Sequence, residues 1–156
     1  PRTGKTAAYC IALVQRAIKE IKHPQIIILQ PTALSPQRTV NLINHLGNEM
    51  GIHASLATST NPLGGSTADA IICGTPDCLL ESIDSNLVAT SHVRNLILDS
   101  ADQLVTHGFI DKVYDIHGRL NACTLQVVVL SSTLSPPVGQ FVNDFTTTYV
   151  SICPTP

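Results

Sequence analysis

Apolar residues along this chain fall in two alternating patterns, short unbroken runs and positions three or four apart. Ala7 to Ile21 carries Ile11, Val14, Ile18 and Ile21 at helical spacing, which predicts a helix that Pro24 stops. Gln25-Ile26-Ile27-Ile28-Leu29 is an apolar run, suited to a strand covered on both faces. After a turn at Pro31-Thr32, Val40, Ile43, Leu46 and Met50 mark one face of a helix ending near Met50. Ile52 to Thr58 reads as a strand, Asn61-Pro62-Leu63-Gly64-Gly65-Ser66 as a loop, and Ala70 to Cys73 as a buried strand ending at Gly74-Thr75-Pro76. A short helix is expected over 77–83, then a strand from Val93 to Leu98 that ends in Asp99. Phe109, Val113, Ile116 and Leu120 outline another helix, and Leu125 to Leu130 a strand ending at Ser131-Ser132-Thr133. A helix led by Pro136 reaches about Phe145, and Tyr149 to Ile152 is expected to add a last strand.

Repeated alternation of strand and helix predicts an α/β fold with a mostly parallel sheet flanked by helices. In such sheets ligands bind outside the carboxyl ends of the strands. Gly74-Thr75-Pro76, Asp99 and Ser131-Ser132-Thr133 all fall at those ends.

Composition narrows the function. At 156 residues the chain can build one domain with a substantial core. Its hydrophobic content is 44%, yet no apolar run approaches the roughly 18 residues of a membrane span. With no signal-peptide pattern, the expected location is intracellular, cytoplasmic or nuclear. The five cysteines, Cys10, Cys73, Cys78, Cys123 and Cys153, form no paired motif and read as reduced thiols. Six scattered histidines give no zinc-site spacing. Nine basic residues stand against eleven acidic ones, and aromatics are only 4%. That balance excludes a broad electrostatic groove or a base-stacking platform, so any nucleic-acid contact must be local.

The chemistry begins at Pro1-Arg2-Thr3-Gly4-Lys5-Thr6. Gly-Lys-Thr closes the G-x-x-x-x-G-K-[ST] phosphate loop, whose backbone N–H groups cradle phosphates while Lys and Ser/Thr serve the outer phosphates and Mg²⁺. The alternative is a chance helix-starting turn. A helix after the loop, returning to a buried strand, fits the phosphate reading. Asp99 is a candidate Mg²⁺ ligand, the alternative being a helix N-cap, and Asp102 reads alternatively as a first-turn carboxylate favoured by the helix dipole.

Behind Gly4-Lys5-Thr6 come Pro31-Thr32, Gly64-Gly65, Thr75-Pro76, Asp99-Ser100-Ala101-Asp102 and Ser131-Ser132-Thr133. In that order they resemble the first RecA-like domain of DEAD-box RNA helicases. Residues 108–116 and 126–131 are similar to the translation-initiation branch of that family, and the resemblance covers essentially the whole chain. It implies ATP binding at Thr3, Gly4, Lys5 and Thr6, with Mg²⁺ held by Thr6 and Asp99. It also implies coupling through Asp102, Ser131 and Thr133, and RNA contact at Pro31, Thr32, Gly64, Gly65, Thr75 and Pro76. The family's adenine-recognition segment and phosphate-loop strand would precede residue 1, and its second RecA-like domain would follow Pro156. Residues 1–156 are therefore expected to form a partial domain whose first strand is missing, leaving a gap or two exposed edges in the sheet.

Departures from the family pattern bear on activity. Ser100 stands where the family's Glu polarises the attacking water, and loss of a positioned base typically costs about 10²–10⁴ in rate. Arg2 replaces a loop glycine. Ala33-Leu34-Ser35 replaces Arg-Glu-Leu after Pro31-Thr32, and Asp77-Cys78 replaces Gly-Arg after Thr75-Pro76. Two cations near the RNA track are gone, and Asp77 adds a repelling charge. The sequence thus reads as a degenerate helicase domain, binding Mg-ATP and RNA weakly and unable to unwind alone. The alternatives are a catalytically dead scaffold for RNA or protein partners, or a decayed reading frame.

Overall fold

The computed structural model describes residues 4–57, 69–120, 124–145 and 150–152. Five parallel strands form its centre: β1 (Ile26–Leu29), β2 (Ala54–Leu56), β3 (Ile71–Gly74), β4 (Asn95–Asp99) and β5 (Gln126–Leu130). Their spatial order is β2-β3-β1-β4-β5. In register, Ile26 lies between Ile71 and Asn95, and Leu29 between Gly74 and Leu98. Every residue of β1, β3 and β4 is buried, as expected of unbroken apolar runs covered on both faces.

Six helices supply the cover: α1 (Lys5–Arg16), α2 (Leu34–Gly47), α3 (Pro76–Asp84), α4 (Ala101–Thr106), α5 (Ile110–Gly118) and α6 (Pro136–Phe145). Alternation along the strands divides the core in two. Ile26, Ile28, Ile71, Cys73 and Ile97 face α1 and α2, through Tyr9, Cys10, Leu13, Val14, Val40 and Ile43. Ile27, Leu29, Ile72, Leu96 and Leu98 face α3 to α6, through Leu79, Leu104, Val113, Ile116 and Phe141.

Asn95 donates to Gln126 Oε1 at 3.1 Å, directly across the β4–β5 register. On the edge strand β2, Ala54 exchanges hydrogen bonds with the Asn44 amide of α2 at 2.7 and 3.2 Å, which satisfies part of an otherwise open edge.

Two expectations are corrected. The first helix spans Lys5–Arg16 rather than continuing to Ile21. Ala17 is extended, and Ile18 exchanges hydrogen bonds with the buried Gln25 amide at 2.9 and 2.8 Å. Its buried face is Tyr9, Cys10, Leu13 and Val14, whereas Ile11 and Ile18 are exposed. Val150 to Ile152 form no strand, and Val150 and Ile152 are exposed. Of the expected gap or two exposed edges, the sheet has the edges: the five described strands pair continuously, with no gap between them. Its edges are β2 and β5, and β5 is only partly covered although its sequence, Gln-Val-Val-Val-Leu, is largely apolar. Within the expected 61–66 loop nothing is described.

Candidate functional site

Because all five strands are parallel, their carboxyl ends share one edge of the sheet. The chain leaves β1 through α2 toward β2, on one side, and leaves β4 through α4 and α5 toward β5, on the other. The connections diverge between β1 and β4, and such a switch point opens a crevice where ligands bind in open α/β sheets. Gln30, after β1, and Asp99, closing β4, flank it.

Gly4 enters α1 with φ of 76° and carries no side-chain cap. That left-handed turn is one that glycine adopts without strain. Lys5 and Thr6 form the first turn, both half-buried. Tyr9 is one turn after Lys5 on the same helix face, and its hydroxyl donates to Asp99 Oδ2 at 2.9 Å. This bond sets the N-terminal part of α1 against the carboxyl end of β4. Thr3 lies outside the described residues, as do Gly64 and Gly65.

Asp99 is buried, and its Oδ2 accepts a second hydrogen bond from Gln30 Nε2 at 2.9 Å. Its Oδ1 meets only the Ser100 hydroxyl, at a long 3.3 Å, among the described hydrogen bonds. Burial, reinforced by Asp99, pushes the Tyr9 phenol well above its usual range, so the hydroxyl keeps its proton and remains a donor. The neighbouring Cys10 thiol is pushed up to about 12 by burial and then by Asp99, which makes it an inert core group rather than a nucleophile. The residue at the N-cap of α4 is Ser100, with no side-chain capping bond, so Asp99 is not spent as a cap. Ser100 itself is left-handed, with φ of 62° and ψ of 53°.

Asp102 accepts hydrogen bonds from Ser131 Oγ at 3.2 Å and the Ser132 amide at 3.4 Å. These bonds tie the start of α4 to the end of β5. Thr133, expected to couple with Asp102, instead contributes its backbone: its carbonyl, 2.7 Å from Ser131 Oγ, shares that hydroxyl's single proton with Asp102. On the other side of β1, the amide of Gln30 donates to the Gly74 carbonyl at 3.0 Å. Pro31 and Thr32 are thereby brought beside Thr75 and Pro76. Thr32 is exposed and shares a 2.8 Å hydrogen bond with Ser35, while Pro31 and Pro76 are buried. Asp77 is not an unopposed negative charge: Lys112 of α5 pairs with it.

Oxygen donors of this kind suit a hard divalent cation. Asp99 Oδ1 has only the long Ser100 contact among the described hydrogen bonds, the Thr6 hydroxyl heads α1, and Gln30 Oε1 is a buried acceptor with no hydrogen-bond partner among the described residues. These residues fit Mg²⁺, with Asp99 and Thr6 as the groups that would hold it. Two contributors were missed in the sequence, Tyr9 and Gln30. Gln30 did carry a signal: it is a polar residue directly after a buried strand, at the same edge as Gly74 and Asp99.

Comparison with known proteins agrees with this geometry. The DEAD/DEAH box helicase family model matches residues 3–141. The chain is 36% identical over 155 residues to the ATP-dependent RNA helicase FAL1 of Meyerozyma guilliermondii, covering 96% of this chain and 39% of that protein. It is 33% identical to fal1 of Schizosaccharomyces pombe over the same shares. The chain therefore spans about two-fifths of the length of these relatives. Among solved structures, S. cerevisiae Dbp5 bound to RNA and ADP BeF3 superposes with a TM-score of 0.83 at 25% identity, covering 92% of this chain and 37% of that one. A DEAD box protein from Methanococcus jannaschii shares the fold with a TM-score of 0.85 at 23% identity, covering 96% and 42%. With the family model matching residues 3–141 and the five-stranded parallel sheet in place, the chain belongs to the DEAD/DEAH box helicase family, as a first RecA-like domain.

Proposed function

We propose that this domain binds Mg-ATP and, weakly, RNA, as the first domain of an ATP-dependent RNA helicase, and that it holds the nucleotide without efficient turnover. The observation that carries the reading is the tie from Tyr9 to Asp99, which sets the N-terminal part of α1, with Lys5 and Thr6, against the end of β4. A helix N-terminus there offers N–H groups and a favourable dipole to phosphate. Lys5 would neutralise charge on the outer phosphates, and Thr6 and Asp99 would hold the cation. Magnesium, when bound, supplies charge neutralisation on the phosphate oxygens of the leaving group.

RNA contact belongs to the other half of the edge. Pro31, Thr32, Thr75 and Pro76, with Gly64 and Gly65 by sequence, would meet the backbone of an RNA strand. Yeast Dbp5, a structural neighbour, was solved with RNA and ADP BeF3, which supports RNA and a nucleotide as the ligand classes. Asp102, held by Ser131 and Ser132, would link the halves. A second RecA-like domain is the expected protein partner.

Ser100 favours a second reading, a nucleotide-holding or nucleotide-free scaffold for RNA or protein partners. Its hydroxyl sits against Asp99 and has no carboxylate to polarise water. Calorimetric titration of Mg-ATP into the wild-type protein and into Lys5→Ala tests the reading. Saturable binding that disappears in Lys5→Ala is expected. No binding by either protein would leave the scaffold.

A further inference from the structure

Gln30 is 4% exposed, and its amide is used on one side only. Nε2 donates to Asp99 Oδ2 at 2.9 Å, while Oε1 is buried with no hydrogen-bond partner among the described residues. Turning the amide over would relieve nothing, since Oε1 would then face a carboxylate oxygen, acceptor against acceptor. Asp99 therefore fixes the orientation and leaves the orphan where it is. A leucine or methionine would fill this place without a buried unsatisfied acceptor. Such a group costs stability and marks a strained, functional or solvent-filled position.

Two features locate the missing donor. Oε1 belongs to the same amide that touches Asp99, so it lies at the β1–β4 switch point, where the topology opens a crevice. The Asp99 carboxylate is also loaded unevenly. Tyr9 and Gln30 both donate to Oδ2, each at 2.9 Å, and Oδ1 receives only the 3.3 Å contact from Ser100. Two donors on one oxygen fix the rotation of the carboxylate and leave the other oxygen for a ligand.

We propose that Gln30 and Tyr9 are positioning residues of the cation site: they clamp Asp99 through Oδ2, reserve Oδ1 for a bound divalent cation, and set Gln30 Oε1 to accept from a water of its hydration shell. Magnesium keeps several waters when bound by few protein groups, and those waters are donors. Residues that orient metal ligands in this way typically contribute about 10- to 100-fold to metal affinity. The proposal rests on the nucleotide-binding reading above.

The test is the ratio of ATP affinity with magnesium to that in EDTA, measured on the intact protein and on Tyr9→Phe and Gln30→Met. Tyr9→Phe removes one hydroxyl and keeps the ring in the core, so it remains informative if Gln30→Met fails to fold. Each variant is expected to lose about 10- to 100-fold of the magnesium enhancement, with a smaller loss of affinity in EDTA than in magnesium. Wild-type enhancement that persists in the variants overturns the proposal and leaves nucleotide binding intact. Equal loss with and without magnesium overturns it as well, because it marks a merely structural role. A wild-type protein that binds no ATP overturns the nucleotide reading itself, and the proposal with it.

Discussion

Ser100 offers a test that needs no ligand. It occupies the left-handed region, with φ of 62° and ψ of 53°, where an L-residue with a side chain loses about 1–2 kcal/mol. Its compensation is small, since the side chain makes no capping bond and its contact with Asp99 is a long 3.3 Å. Ser100→Ala keeps the backbone strain and removes the hydroxyl, so it should destabilise by about 0.5–1 kcal/mol, the net value of an ordinary hydrogen bond. Ser100→Gly removes the same hydroxyl but relieves about 1–2 kcal/mol of strain, against about 0.5–1 kcal/mol for the greater freedom of an unfolded glycine. The glycine variant should therefore exceed the alanine variant by about 1 kcal/mol. In a chain of this size that is about 2–4 °C in Tm. Urea titrations with a common slope give the comparison directly. Alanine equal to or better than glycine would refute a left-handed Ser100, because at an ordinary φ glycine is the worse of the two.

Two further outcomes follow from packing and burial. A Cβ at Gly47 would collide with the Ile52 carbonyl, so Gly47→Ala should cost about 1–3 kcal/mol, the usual range for overpacking, read from the urea midpoint. Burial lowers the His117 pKa, so the folded state resists protonation that the unfolded chain accepts at about 6.5. The unfolded state then binds more protons, and stability falls as pH drops from about 6.5 toward the lowered folded value. His117→Gln should flatten that part of the curve of urea midpoint against pH.

Much of the fold was legible because its central strands are continuous apolar runs. Ile26–Leu29, Ile71–Gly74 and Asn95–Asp99 are buried along their whole length, and nothing but a covered parallel sheet suits such segments. The Pro136 helix start was equally plain, since proline is favoured in a first turn. α4 is absent from the periodicity, because six residues are too few to display one, and only the alternative readings of Asp99 and Asp102 imply it. The first helix was drawn too long because Ile18 and Ile21 continue its spacing. What ends it is the Gln25 side chain, which takes up the backbone of Ile18 seven residues away.

At the site, strand-end reasoning correctly placed Asp99, Thr75 and Ser131 on one edge. It did not reveal which atoms meet. Tyr9 and Gln30 are 90 and 69 positions from Asp99, and only the strand order brings them to the same carboxylate. Asp77 likewise read as a bare negative charge until α5 brought Lys112 against it. Long-range polar contacts depend on the assembled sheet, and no local pattern encodes them.

The central claim is that the site holds ATP and does not turn it over efficiently. Its most direct test follows the fate of bound nucleotide: wild-type protein is loaded with γ-labelled Mg-ATP in the presence of RNA, and the bound fraction is analysed over time. The account predicts that label is retained, is recovered as intact ATP, and is absent from Lys5→Ala. Rapid, stoichiometric conversion of bound ATP to ADP by the wild-type protein would contradict it, and would mean that some group other than a carboxylate at position 100 activates the water.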